Sequence, residues 1–126
     1  MAESKLRTLS VDFAVQILNL VKFLKSQHET IISNQIGRAG TSIGANIHEA
    51  QYAHGKADFI AKLQIALKEG NETSYWLELL LKTNYITMHR EYIPHCNTKL
   101  RMKSISALAI QQTEVILKQS RLHRSF

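Results

Sequence analysis

No intrachain disulfide is available to this chain of 126 residues, because Cys96 is its only cysteine. That absence fits a reducing compartment. Pro94 is the only proline and there are five glycines. Alternating β-branched stretches are missing too, so the turn-rich pattern of a sheet protein is excluded. No apolar run approaches the roughly 20 residues needed to span a bilayer. The start, MAESKLRTLS, has no apolar signal core. These absences lead us to expect a cytoplasmic protein without membrane contact, built as one domain over residues 1–126 and large enough for a continuous core.

Acidic residues are scarce in one region only. The chain has 16 Lys and Arg against 10 Asp and Glu, a formal charge of +6. From Arg90 onward the acids are Glu91 and Glu114 alone, facing seven basic residues: Arg90, Lys99, Arg101, Lys103, Lys118, Arg121 and Arg124. Such a field attracts RNA, DNA or an acidic protein, and these seven are the candidate nucleic-acid contacts. A solvated basic face is the plainer reading of the same residues.

What is present is helical periodicity. Phe13, Ile17, Leu20 and Leu24 repeat at four-three-four spacing in a first helix over about 10–27, with Ser10 as its expected N-cap. Val11, Ala14, Leu18 and Val21 widen that apolar face toward a second neighbour or another subunit. A second helix, about 30–53, carries the heptad stripe Ile32, Ile36, Ala39, Ile43, Asn46 and Ala50. Gly55 in HGKAD is its expected stop. A third, about 57–83, repeats Phe59, Leu63, Ala66, Gly70, Thr73, Leu77 and Leu80, with Ile60, Leu67, Ser74 and Leu81 alongside. After a helical turn at about 87–92, Pro94 breaks the chain because it cannot donate a backbone hydrogen bond and clashes inside a helix. A fourth helix over about 95–120 follows, with Met102, Ile105, Leu108, Ala109, Val115 and Ile116 on its buried face. The end, RLHRSF, is expected to fray. The fold class is therefore all-α, an antiparallel up-down-up-down four-helix bundle.

The stretch QIGRAGTSIGANIHEA, residues 35–50, concentrates Gly37, Gly40 and Gly44. It is not a phosphate loop: no strand precedes it, the glycine spacing is wrong and the lysine is missing. On a helix the three glycines share one flank. Each costs roughly 1 kcal/mol relative to alanine, so a compensating gain is expected from close approach of a neighbouring backbone or of a bulky side chain such as Trp76 or Tyr75. Asn46 occupies a core heptad position, where an amide sets register or oligomer state. Arg38, Ser42 and Glu49 form a polar stripe, and Glu69 and Glu72 on the next helix supply acids to pair with Arg38. A salt-bridge network joining the helices and a ligand pocket are both open to these residues.

Signs of catalysis are thin. His48, Glu49 and His54 miss the His-Glu-x-x-His zinc spacing. His95 and Cys96 are adjacent and so rarely face each other as base and nucleophile. No metal, cofactor or catalytic residue is expected. Trp76, Tyr75, Tyr52, Tyr85 and Tyr92 are available for base stacking, although aromatics at helical spacing more often serve the core.

The segment QIGRAGTSIGANIHEA, followed by KADFIAKLQIALKEGNETSYWLELLLKTNYI, resembles the four-helix-bundle protein family encoded in intervening sequences of bacterial 23S rRNA genes. The matching positions are Arg38, Ala39, Ser42, Asn46, Ile47, Glu49, Phe59, Ile60, Ala66, Leu67 and Glu72, within residues 31–86. Two features depart from the pattern: Ala50 stands where many relatives have glycine, and Pro94 interrupts the approach to the fourth helix. The family is similar to the accessory protein of diversity-generating retroelements, a basic ring-forming bundle that associates with a reverse transcriptase and nucleic acid. The resemblance implies a homo-oligomer, with a pentamer among the possible rings, and no assigned enzymatic activity.

The functional expectation is a non-enzymatic binding or scaffolding protein that meets RNA, DNA or a nucleic-acid enzyme through its basic surface. The competing expectation is a small-ligand sensor or enzyme with a polar pocket at Arg38, Asn46, Glu49, Glu69 and Glu72. A third is an adaptor for an acidic protein partner.

Overall fold

A computed structural model describes residues 2–86, and every element within them is an α-helix. They are α1 (Ala2–Ser26), α2 (Ile31–Gln51) and α3 (Lys56–Lys82). The helical turn expected at 87–92, the break at Pro94 and the fourth helix over 95–120 lie outside the described residues.

α1 begins eight residues before the expected start. Ser10 is not its N-cap but an interior residue, 1% exposed, whose hydroxyl donates to the Arg7 carbonyl at 2.8 Å. No breaker separates residues 2 and 10, and the apolar period already includes buried Leu6. Phe13, Ile17, Leu20 and Leu24 are buried as expected. The second stripe divides: Ala14 and Val21 are half-buried, whereas Val11 and Leu18 face solvent together with Val15.

α2 packs against both α1 and α3, and no Cα of α1 comes within 8 Å of one in α3. The buried face of α2 holds Ser33, Ile36, Ala39, Gly40, Ile43, Ile47 and Ala50. Ile47 thus fills the core place expected for Asn46, and Ile32 is only half-buried. A straight helix repeats every 3.6 residues, so a strict seven-residue stripe drifts off the core within a few turns. On α3, Leu63, Ala66, Gly70, Thr73, Leu77 and Leu80 are buried. Phe59, Ile60, Leu67 and Leu81 flank them half-buried, and Ser74 is exposed. The buried hydroxyls of Ser33 and Thr73 donate to the carbonyls of Glu29 and Glu69, at 2.9 and 2.8 Å, so small polar residues enter the core without orphaned groups.

The glycines of α2 meet α1, not Trp76 or Tyr75. A Cβ on Gly37 would lie 3.2 Å from Val21 Cγ2, one on Gly40 would lie 2.8 Å from both γ-carbons of Ile17, and one on Gly44 would lie 3.4 Å from Ser10. As the α2 number rises the α1 number falls, so the two helices run antiparallel. Trp76 and Tyr75 pack on each other instead, ring centroids 5.1 Å apart.

The C-terminal ends of α1 and α3 close in the same way. His28, at φ 61°, ends α1: its N–H reaches the Lys25 carbonyl at 3.0 Å and the Glu29 N–H reaches Leu24 at 2.9 Å. Asn84, at φ 62°, ends α3 with the corresponding bonds to Leu81 and Leu80. This double closure wants a left-handed residue, for which glycine carries no Cβ penalty. His28→Gly is therefore expected to stabilise the fold by about 1 kcal/mol, read as a higher urea midpoint at unchanged slope. Gly55, expected to stop α2, is the N-cap of α3 with extended backbone, while α2 ends at Gln51 with Tyr52 as its C-cap. The short turn is held by the Asp58 carboxylate, which accepts the His54 N–H at 3.3 Å.

Candidate functional site

The polar stripe of α2 lies along its border with α3. Arg38 Nη1 donates to Glu69 Oε2 at 3.3 Å, and Nη2 pairs with Glu72 Oε2. The expected pairing of Arg38 with both acids is present. Glu69 and Glu72 are three residues apart on α3, so one forked guanidinium reaches both. The Arg38 side chain is 49% exposed and that of Glu69 is 19% exposed. An ion pair this open contributes at most about 1 kcal/mol; it links α2 to α3 at one level.

Ser42 and Asn46 turn back onto their own helix. Ser42 Oγ donates to the Arg38 carbonyl at 2.7 Å, and Asn46 Nδ2 donates to the Ser42 carbonyl at 2.8 Å. Asn46 is half-buried, and its amide donor is satisfied within α2 rather than across a helix boundary. Glu49 stands exposed one turn on. Of the five residues expected to line a pocket, Arg38, Glu69 and Glu72 are joined by contacts. Asn46 and Glu49 are not bonded to them.

The seven basic candidates, Arg90, Lys99, Arg101, Lys103, Lys118, Arg121 and Arg124, lie outside the described residues, as does Tyr92. Trp76 is half-buried against the core, and its indole Nε1, like Oε1 of Gln16, is buried without a hydrogen-bond partner. Tyr52 is the most exposed aromatic among the described residues, at 72%, with its ring edge-on to His48 at 5.2 Å. Among the described residues no group of three or more His, Cys, Asp or Glu is placed to hold a metal ion, and no helix is long and apolar enough to cross a membrane.

Sequence reasoning missed Glu29. Its carboxylate is buried and accepts the first three amides of α2: Ile31 and Ile32 on Oε1 at 3.0 and 2.9 Å, and Ser33 on Oε2 at 2.6 Å. Thr30, the formal N-cap, makes no side-chain cap bond. The available signal was an acid immediately ahead of an apolar-periodic run, where the positive end of the helix dipole favours negative charge.

Comparison with known proteins places this arrangement. A crystal structure of a protein of unknown function from the S23 ribosomal protein family of Bacteroides thetaiotaomicron is 44% identical, with a TM-score of 0.84 over 96% of this chain and 99% of that one. No curated protein matches. The model of the 23S rRNA-intervening sequence proteins matches residues 3–104, a span that takes in α2, α3, all of α1 but Ala2, and the Arg38–Glu72 pair. The chain belongs to the 23S rRNA-intervening sequence protein family.

Proposed function

We propose that this protein is a non-enzymatic, homo-oligomeric scaffold that binds RNA or DNA, or an enzyme working on them, in the cytoplasm. The observation that carries the reading is the charge imbalance after residue 89: seven basic residues against two acids, which leaves the rest of the chain close to neutral. Phosphates are bound by such a surface through charge and counterion release, without reading base edges. A fourth helix over 95–120 would complete the bundle and carry much of that charge. Support for a fourth helix comes from α1 and α3, which flank α2 without approaching each other.

Support for self-association comes from Val11, Val15 and Leu18, exposed by 50, 51 and 47% at four- and three-residue spacing along α1. A closed ring, of five copies by resemblance to the retroelement accessory protein, would multiply the basic surface, and a reverse transcriptase is one partner such a ring would suit. The paired, solvent-facing geometry of Arg38, Glu69 and Glu72 favours a structural role for these three over a ligand pocket.

The test is binding of labelled mixed-sequence RNA across a salt series. Wild-type affinity is expected to fall steeply with salt. The triple substitution Lys99→Glu, Arg101→Glu and Lys103→Glu is expected to weaken binding at least about tenfold and flatten the salt slope. Its unfolding midpoint should stay unchanged. Equal affinities for the two proteins would reject the assignment. Native mass with and without RNA reports subunit number in the same preparation.

A further inference from the structure

We propose that copies of this chain join head to tail, with the exposed stripe Val11, Val15 and Leu18 of α1 on one copy packed against the outer face of α3 around Ile65 on the next. The proposal rests on the self-association reading above and names the surface that the α1 stripe meets.

Two apolar faces stand open, on different helices. On α1 they are Val11, Val15 and Leu18; on α3, Ile65 and Tyr75 are exposed by 41 and 53%, and exposed Ala61 and half-buried Leu79 share their side of the helix. No Cα of α1 comes within 8 Å of one in α3, so neither face covers the other within a copy. Between copies they can. Contact between two unlike surfaces repeats from each copy to the next and closes into a ring when the rotation allows.

Charge favours this pairing over α1 with itself. Gly40 faces Ile17, Arg38 faces Glu69 and Glu72, and the short turn after α2 sends α3 back along it, so α1 and α3 run parallel. Carried across α2, Asp12 is level with Leu63 and Lys22 is level with Thr73. In a ring whose axis follows the bundle every copy keeps the same height, so α1 meets the next α3 at these levels. Lys22 then stands beside Glu72 of the next copy, and Asp12 lies between the levels of its Lys62 and Lys68. Asp12, Lys22 and Lys68 form no ion pair among the described residues, and the Glu72 side chain is 39% exposed despite its pairing with Arg38. Opposite charges at matched heights fix a register and oppose wrong pairings. An antiparallel pairing of α1 with its own copy about Val15 would instead set Asp12 against Leu18, and it would leave Ile65 and Tyr75 uncovered.

The experiment uses the full chain with Cys96→Ser, carrying Val15→Cys, Ile65→Cys or both, treated with a short bis-maleimide linker and separated under denaturing conditions. Native mass of the wild type is measured alongside. The double variant is expected to give linked multimers, each single variant only unlinked chains, and a mixture of the two single variants linked dimers. Because Val15 and Ile65 are exposed, the unfolding midpoints of all three should match that of the Cys96→Ser parent. Linked dimers from Val15→Cys alone would show α1 paired with itself and overturn the head-to-tail contact. So would a double variant that gives no linked product while the wild type has a native mass above one chain; self-association would then stand and only this contact would fail. A wild type with the native mass of one chain overturns both.

Discussion

Glu29→Ala is expected to lower the stability of the protein by about 3 kcal/mol, a large share of the total for a domain of this size. The carboxylate is 6% exposed and accepts three amides that the helix itself cannot satisfy. Ordinary N-cap removal costs about 1 kcal/mol, but here one charged carboxylate serves three amides, and its bond to Ser33 is buried. The backbone of Glu29, which alanine would keep, closes the end of α1 on Leu24 and accepts the hydroxyl of fully buried Ser33. One residue thus joins the end of α1 to the start of α2. Glu29→Gln keeps one acceptor oxygen and the chain length while losing the charge, so it should fall between wild type and alanine. Urea unfolding followed by circular dichroism reads both. Equal midpoints for wild type and Glu29→Ala would show that water replaces the carboxylate without penalty.

Gly40→Leu is expected to cost about 3 kcal/mol, at the upper end of overpacking effects. Even the first added carbon is 2.8 Å from both γ-carbons of Ile17 and 3.2 Å from its Cβ. Ile17 is fully buried and branched at Cβ, so it has no alternative rotamer to retreat into. Gly40→Ala should also destabilise, because the clash outweighs the roughly 1 kcal/mol gained in helix propensity. Gly44→Ala should do the reverse and stabilise by up to about 1 kcal/mol, since its new carbon would rest at ordinary contact distance from Ser10. Shortening the partner in the double variant Ile17→Val, Gly40→Ala should recover part of the loss, an interaction measurable in a double-mutant cycle. If Gly40→Ala proves as stabilising as Gly44→Ala, α1 is free to move away from α2 and the glycine stripe is not what sets their spacing.

The two substitutions probe what periodicity alone does not reveal. The four-three-four spacing of Phe13, Ile17, Leu20 and Leu24 marks a buried face, and that face is buried. The acids at Glu69 and Glu72, opposite in sign and suitably spaced, mark a partner for Arg38, and they pair with it. Yet the same spacing rule counted Asn46 into the core in place of Ile47, and it did not tell which of the second-stripe residues of α1 the other described helices cover: Ala14 and Val21 are half-buried, Val11 and Leu18 are not. Nothing in the glycine spacing distinguished Ile17 from Trp76 as the group that approaches.

By itself the sequence determined that the described elements are helices, where α2 and α3 begin and end to within a few residues, and which family the chain belongs to, because those depend on residues close together along the chain. Only the tertiary structure decided the rotation of each helix about its axis. Rotation is set by what the neighbouring helix presents, at positions tens of residues away. The fit of Ile17 into the gap above Gly40 turns α2 so that Ile47 points inward. That same turn leaves Asn46 at the border and Tyr52 in the open.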